Sequence, residues 1–384
     1  MSASPIRRGY STAPDPAAAA REFAQAVAQP DLGLVVFFCS YGFDLNVLEP
    51  ELGRLFAGVP TVGCTTAGEI TPIGYLDGSI TGFSIAASHC RAATALIRNL
   101  SRFQMSDGHA ATRKVVEDLR AKGCELDPRD SFALLLIDGM SRNEEVALAS
   151  LTGLMDLAPL IGASAADNLC LTGAFVYCDG AFHSDAAVLA AVKIDAPFRI
   201  AKCQNFIGSD QRMVVTRADP LSRRVFELNG EPAAREYARL LNLPEIELTP
   251  STFSTNPLMV KVGGDFHVRS IQTAHGDESL TFFCAIDEGV VLRLARSEAV
   301  LPNLAAFFEQ MGQSFGAPEL VIGFDCIHRS LALEKAQTKR LAGEILAANN
   351  VIGFSTYGEQ FAGMHLNQTF TALAIGRIPD GGAE

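Results

Sequence analysis

No apolar run in the chain reaches membrane-spanning length; the longest, such as Phe132-Ala133-Leu134-Leu135-Leu136-Ile137, are the size of a buried strand. Positive charge is scarce as well. Lys and Arg total 31 against 43 Asp and Glu, a net charge of −12, and no basic cluster stands out, which speaks against nucleic acid and anionic membrane as partners. The opening Met1-Ser2-Ala3-Ser4-Pro5-Ile6-Arg7-Arg8 runs into small and polar residues with no apolar h-region, so secretion is not expected. The nine cysteines include no C-x-x-C pair, and several lie inside apolar segments, the pattern of reduced core thiols in a cytoplasmic protein.

Signatures of catalysis are missing too. There is no P-loop, no H-E-x-x-H and no G-x-G-x-x-G after a strand. Gly353-Phe354-Ser355-Thr356-Tyr357-Gly358 is one residue too long for a nucleophile elbow, and its counterpart earlier in the chain has Thr65 where this one has Ser355. Such an exchange fits hydrogen bonding better than a unique nucleophile. No residue nominates a reaction, and an enzyme is not expected.

What the chain has is length, apolar strands and repetition. Its 384 residues exceed one ordinary core, and 48% hydrophobic and 19% charged residues with 33 Gly suit a two-domain α/β protein. Leu34-Val35-Val36-Phe37-Phe38-Cys39 is apolar without alternation, as in a strand covered on both faces, and a helical stretch Leu45–Phe56 leads to Val59–Gly63. The unit recurs in Ala133–Gly139, Glu144–Met155 and Pro159–Gly162, and again in Leu320–Cys326, a helix to about Leu346, and Asn350–Gly353. A strand-like return follows each copy, at Gly78–Ala87, Ala186–Ile194 and Gln368–Gly376. Repeated strand-helix-strand units imply duplication, pseudo-symmetric halves and mixed, mostly parallel sheets. Residues 1–14 read as a loose leader, with Asp15 as N-cap and Pro16 opening a helix. A change of texture near Pro197–Thr216 divides an N-terminal domain, 15–205, from a C-terminal domain, 206–384, rich in short strands.

Two turns carry the candidate site. Gly63-Cys64-Thr65-Thr66-Ala67-Gly68-Glu69 corresponds to Gly353-Phe354-Ser355-Thr356-Tyr357-Gly358-Glu359, and the middle copy, Gly162-Ala163-Ser164-Ala165-Ala166-Asp167-Asn168, is degenerate. Each lies beyond the carboxyl end of a presumed parallel strand, where α/β sheets bind ligands. Thr65, Thr66, Glu69, Thr356, Tyr357 and Glu359 are thus candidate ligand contacts; the plain alternative is that the glycines permit a tight turn and the glutamates cap it. The seven histidines lack zinc-ligand spacing, and Cys326-Ile327-His328 has no second pair of ligands. His183 and His365 precede the second and third return strands.

The chain from about Thr12 to Ile378 resembles the FIST N and FIST C domain pair. The N-terminal half does so through Gly63–Ile70, Asp138-Gly139-Met140-Ser141-Arg142-Asn143-Glu144-Glu145 and Gly162–Asn168. The C-terminal half does so through Glu227-Leu228-Asn229-Gly230, Val268-Arg269-Ser270, Phe324-Asp325-Cys326, Tyr357-Gly358-Glu359-Gln360 and Asn367-Gln368-Thr369-Phe370. The subgroup most similar is the NosP type. That resemblance implies a cytoplasmic sensor that binds haem b and nitric oxide and regulates a partner histidine kinase or cyclic-di-GMP enzyme in trans, because the chain ends soon after the FIST C pattern. It would make His365 or His183 the iron ligand, and a homo-oligomer is compatible with it. Ala163 and Ala166 depart from the glycines usual in the family's middle motif, which narrows backbone freedom there. A haem-free receptor for an amino acid or similar metabolite is the rival expectation.

Overall fold

Every one of the three repeated apolar segments becomes a strand buried on both faces, and each copy is longer than the strand-helix-strand unit. The computed structural model describes residues 4–244, 247–262 and 264–378. The first copy runs β1 Ile6–Ser11, α1 Pro16–Ala26, β2 Leu32–Ser40, α2 Leu45–Leu55, β3 Thr61–Thr66, the hairpin β4 Glu69–Thr71 and β5 Gly74–Leu76, and the return β6 Ile80–Ala86. The second runs β7 Cys90–Arg98, α3 Met105–Ala121, β8 Ser131–Asp138, α4 Glu144–Ser150, α5 Thr152–Met155, β9 Leu160–Ala165, β10 Val176–Cys178, β11 Ala181–His183 and β12 Ala186–Ile194.

The third copy starts with β13 Phe198–Gln204, is interrupted, and resumes later in the chain. The interruption holds β14 Phe206–Asp219, β15 Arg224–Leu228, β16 Glu231–Pro232, α6 Ala233–Leu241, α7 Pro250–Thr255, β17 Leu258–Val262, β18 Asp265–Arg269, β19 Ile271–Ala274, β20 Leu280–Phe282 and β21 Val291–Ser297. The copy is completed by α8 Val300–Phe315, β22 Leu320–Cys326, α9 Ile327–Lys335, α10 Lys339–Ala348, β23 Val351–Thr356, β24 Glu359–Phe361, β25 Met364–Leu366 and β26 Thr369–Ile375.

The copies trade hairpins. The sheet of the first copy, β1-β6-β2-β3, is extended by β10-β11 from the second; the second copy's sheet takes β24-β25 from the third; the third copy's takes β4-β5 from the first. Each copy therefore completes a neighbour, and three six-stranded sheets close in a ring. Their inner faces share one core in which Phe38, Phe324 and Phe354 meet with ring centroids 4.8–6.0 Å apart, beside Leu134, Leu136 and Ile161 of the second copy. Helices α1 and α2 cover the outside of the first sheet, α3 to α5 the second, α8 to α10 the third. Burial on both faces is why these strands read as unbroken apolar runs.

Four expectations change here. The three sheets of the ring are mixed, but each has a single parallel pair, β2–β3, β8–β9 or β22–β23, and hairpins and return strands make the other pairings antiparallel. The copies form a three-part ring rather than two halves. Residues Ile6–Ser11, expected in a loose leader, form an edge strand with Ile6 opposite Ile85 and Ser11 opposite Ile80, because Ile6 reaches the shared core. The segment 206–384 is not one unit in space: 206–297 forms a separate, eight-stranded antiparallel sheet, while 300–375 completes the ring. The inserted sheet leaves and rejoins the ring at one place, where Glu298 N donates to Asn205 O at 2.7 Å.

The glycines shared by the copies are steric rather than conformational. A Cβ on Gly63 would lie 2.6 Å from Phe37 O, on Gly162 2.2 Å from Leu135 O, and on Gly353 1.6 Å from Gly323 O, each on the parallel neighbour. Gly162→Ala is expected to cost about 1–3 kcal/mol in urea unfolding, as overpacking does. Gly153→Ala, in α5 with nothing within 4 Å, should be neutral or stabilising by up to about 1 kcal/mol. The reverse order would contradict the close approach of the strands.

Candidate functional site

At the carboxyl ends of β3, β9 and β23 the three turns meet and bond to one another. Ser355 N donates to Gly68 O at 2.8 Å and Ala67 N to Ser355 O at 3.1 Å; Ala166 N donates to Thr65 O at 3.0 Å and Ser164 N to Gly358 O at 2.9 Å. Ala67, Ala166 and Tyr357, which hold the same place in the three copies, converge on Phe283 of the inserted sheet, together with Ile327 and the partly exposed Met140, Leu169 and Leu171. Phe283 packs 5.5 Å from the Tyr357 ring and edge-on to His328 at 5.3 Å. The mouth of the ring is thus capped by one phenylalanine from the insertion.

A loop at 167–175 closes the side. Asn168, Leu169 and Leu171 all have positive φ (54°, 64° and 54°), a conformation that non-glycine residues adopt only when their surroundings hold them there. Asp167 does so: its carboxylate accepts from Leu171 N at 3.0 Å, Thr172 N at 2.6 Å and Gly173 N at 3.0 Å, and from the Tyr357 hydroxyl. Burial opposes the charge on Asp167, and these donors outweigh it, holding the group below its ordinary pKa. Leu169 N in turn donates to Tyr357 Oη at 2.6 Å.

Most of the turn residues singled out from the sequence spend their polar atoms inside the turns. Thr65 Oγ1 accepts from Phe175 N at 3.0 Å. Thr66 Oγ1 donates to Glu69 Oε1, while Glu69 Oε2 accepts from Ser79 N at 2.9 Å and Ser79 Oγ at 2.6 Å. Burial pushes the Glu69 carboxyl up to about 7 despite those bonds. Glu359 repeats the pattern with Thr369 N at 3.1 Å and Thr369 Oγ1 at 2.6 Å, but Thr356 Oγ1 turns away to Ser164 O at 2.6 Å and leaves Glu359 Oε1 unpartnered. Of the expected contacts, Tyr357 and His365 come together at Phe283.

The junction with the inserted sheet is polar and buried. The Arg223 guanidinium lies 2.6 Å from Glu144 and 2.5 Å from Glu145, and Arg223 Nη1 donates to Phe283 O at 2.5 Å. Ala285 N donates to Glu145 Oε1 at 2.9 Å. Burial pulls the Arg223 pKa down, and the two carboxylates outweigh it and leave it raised. Gln360 Nε2 donates to Ser164 Oγ at 3.0 Å, and Gln368 Nε2 sits 3.2 Å from His328 Nδ1. Buried atoms without a protein partner gather here: His328 Nε2, Gln360 Oε1, Gln368 Oε1, Ser270 Oγ and Arg223 Nε. Of these residues Gln360, Gln368 and Ser270 lie in motifs of the sequence, beside Glu144 and Glu145, and His328 in Cys326-Ile327-His328; Arg223 and Phe283 carry no local signal.

Haem asks for a histidine with one ring nitrogen turned to iron. His365 is buried with Nε2 3.1 Å from Phe283 O and Nδ1 3.3 Å from Gln360 Nε2, and a Cβ on Gly358 would come within 2.1 Å of its ring. His183 lies in a different sheet, with Nδ1 3.3 Å from Arg98 Nη1 and Nε2 3.3 Å from Cys178 O. Each histidine has one ring nitrogen on a backbone carbonyl, and axial ligation through the other would displace Gln360 Nε2 from His365 or Arg98 Nη1 from His183. Among the described residues no group of three or more His, Cys, Asp or Glu is placed to hold a metal ion. Burial raises the Cys39, Cys64 and Cys326 thiols well above their ordinary range, which keeps them protonated.

Arg223→Met would leave the buried carboxylate of Glu144 without its counter-charge, beside the partly exposed Glu145. It is expected to cost about 3–5 kcal/mol in urea unfolding, the penalty for stripping one partner from a buried ion cluster. Arg217→Met, removing an exposed pair with Glu227, should cost under about 1 kcal/mol. Equal effects would show that the Arg223 cluster is not a buried support.

A search of curated proteins returned no match. Family models do match: the FIST N domain over residues 33–231, more than half of the chain, and the FIST C domain over 233–362. FIST domains are signal-transduction sensor domains rather than catalytic ones. The two matches abut near residue 232, inside the inserted sheet, so both cover parts of the ring and of the insertion that caps it. By that match, the chain belongs to the FIST family of sensor domains.

Proposed function

We propose that this chain is a haem-free sensor for a small polar ligand, bound where the inserted sheet meets the mouth of the three-copy ring. The observation that carries the reading is the set of unpartnered buried atoms around Phe283, on His328, Gln360, Gln368 and Ser270. Native proteins leave few such groups unmatched, and each costs about 1–3 kcal/mol when it stays so. A ligand satisfying them would bridge the ring and the insertion and change how firmly the two are held together. That change is the signal, read by a partner protein in trans such as a histidine kinase or a cyclic-di-GMP enzyme. No helix among the described residues is long and apolar enough to cross a membrane, in keeping with a cytoplasmic setting.

The haem and nitric oxide reading keeps one observation in its favour. His328, rather than His365 or His183, has a free ring nitrogen: Nε2 is unpartnered, although Gln368 Nε2, which faces Nδ1 at 3.2 Å, is oriented by its bond to Phe253 O at 3.2 Å and so favours Nε2 as the protonated nitrogen. When bound, haem would supply an iron that takes a diatomic gas.

Native mass spectrometry of the full chain as purified, and again after incubation with haemin, separates the readings. The expected result is a small organic adduct that is lost in Gln368→Met, with no Soret band after haemin. A stoichiometric haemin adduct whose Soret band moves with nitric oxide and disappears in His328→Ala would overturn the haem-free reading.

A further inference from the structure

The chemistry of the unpartnered atoms says more about the ligand than their number does. Gln360 Oε1 and Gln368 Oε1 accept, and with Gln368 Nε2 donating to His328 Nδ1, the free Nε2 of His328 carries a hydrogen and donates. Arg223 Nε–H donates as well, and Ser270 Oγ can do either. His328 is neutral at pH 7, since burial pushes its imidazole down to about 4, and burial likewise pushes the Glu359 carboxyl above its ordinary value.

The charges around the mouth are already committed. Glu144 and Glu145 share Arg223; Asp167 is surrounded by backbone donors and the Tyr357 hydroxyl; Arg269 Nη1 donates to His365 O at 3.3 Å. A carboxylate entering here would meet an arginine that holds two carboxylates, and an ammonium would meet Glu144, Glu145 and Asp167, which are already paired. Either charge would lose its water without a matching counter-charge, which is costly in a buried site. The apolar part of the site is flat and aromatic. Phe283 and Tyr357 lie 5.5 Å apart with their planes 37° from parallel, flanked by Met140 and Leu169, so a ring that displaced Phe283 would stack on Tyr357.

We propose that the ligand is a neutral, planar ring carrying amide groups, whose N–H groups bond Gln360 and Gln368 and whose carbonyls accept from His328 and Arg223. The inference rests on the ligand-sensor reading above and narrows it to a class. Paired donors and acceptors on the edge of a flat ring match glutamine amides, as side-chain amides match the edges of bases. The class differs from amino acids, which are zwitterions, and from haem, which carries propionates.

Melting temperatures of the full chain with uracil and hypoxanthine as neutral cyclic amides, and with alanine and glutamine as zwitterions, test it. The cyclic amides are expected to raise Tm by several degrees in a concentration-dependent way, and the zwitterions not. Gln360→Met and Gln368→Met should each abolish the shift while the unliganded protein still melts cooperatively. Ser270→Ala, a smaller change that serves if a glutamine variant does not fold, should weaken it several-fold. A shift with the zwitterions alone would overturn the neutral class and leave the sensor reading standing. No shift with any of the four, together with no small adduct by native mass spectrometry, would mean that the unpartnered atoms hold only water, and both would fall.

Discussion

One buried guanidinium joins the two bodies of this protein. Arg223, at a left-handed position between β14 and β15, reaches out of the inserted sheet to Glu144 and Glu145 at the start of α4, and on the way ties down the carbonyl of Phe283. The insertion is tethered covalently at one place only, near Asn205 and Glu298, where Arg329 and Asp325 hold Asn205 through a second buried cluster. The Arg223 cluster is the charged fastening at the far side, beside the bonds of Arg269 Nη1 to His365 O and of Ser270 N to Asn367 Oδ1. Buried ion clusters of this kind add little net stability but penalise any arrangement that breaks them, so they specify position. Here the position specified is Phe283 over the mouth of the ring.

Symmetry explains why a mouth exists, and its loss explains why it is chemically distinct. Three copies that exchange hairpins bring three equivalent turns to one axis. In the first copy Thr66 and Ser79 satisfy both oxygens of Glu69. In the third, Thr356 is drawn to Ser164 of its neighbour, and Glu359 keeps an open oxygen. Where the first two copies place alanine, the third places Tyr357, whose hydroxyl holds the strained 167–175 loop. The insertion falls in this same copy, after β13. Divergence and insertion therefore coincide on one side of a symmetric scaffold, as expected for a function grafted on a fold.

The repeats were legible because their cause is local. Strands buried on both faces must be continuously apolar, and a glycine opposite a close neighbour must recur, so Leu34–Gly63, Ala133–Gly162 and Leu320–Gly353 can be aligned by eye. The hairpin exchange was not legible, since Glu69–Leu76 carries nothing that says which sheet it will join. Strand β1 hid for a similar reason: Arg7 and Arg8 disguise an edge strand whose buried residues are only Ile6, Gly9 and Ser11. The site was half legible. The turns were marked by composition, whereas Arg223 and Phe283 act through contacts 60 to 79 residues away along the chain. Placement before a return strand drew attention to His365, but the occupation of both its ring nitrogens is a property of packing. His328 was passed over for want of a second ligand pair, and its open nitrogen appears only in three dimensions.

The claim that Arg223 fastens the insertion over the mouth is tested most directly by amide hydrogen exchange of the wild type and Arg223→Met under native conditions. The account predicts faster exchange confined to the facing segments, residues 141–146, 166–175 and 280–286, with the inner strands β2, β8 and β22 unchanged. A uniform rise across ring and insertion alike, or no change at residues 280–286, would contradict it.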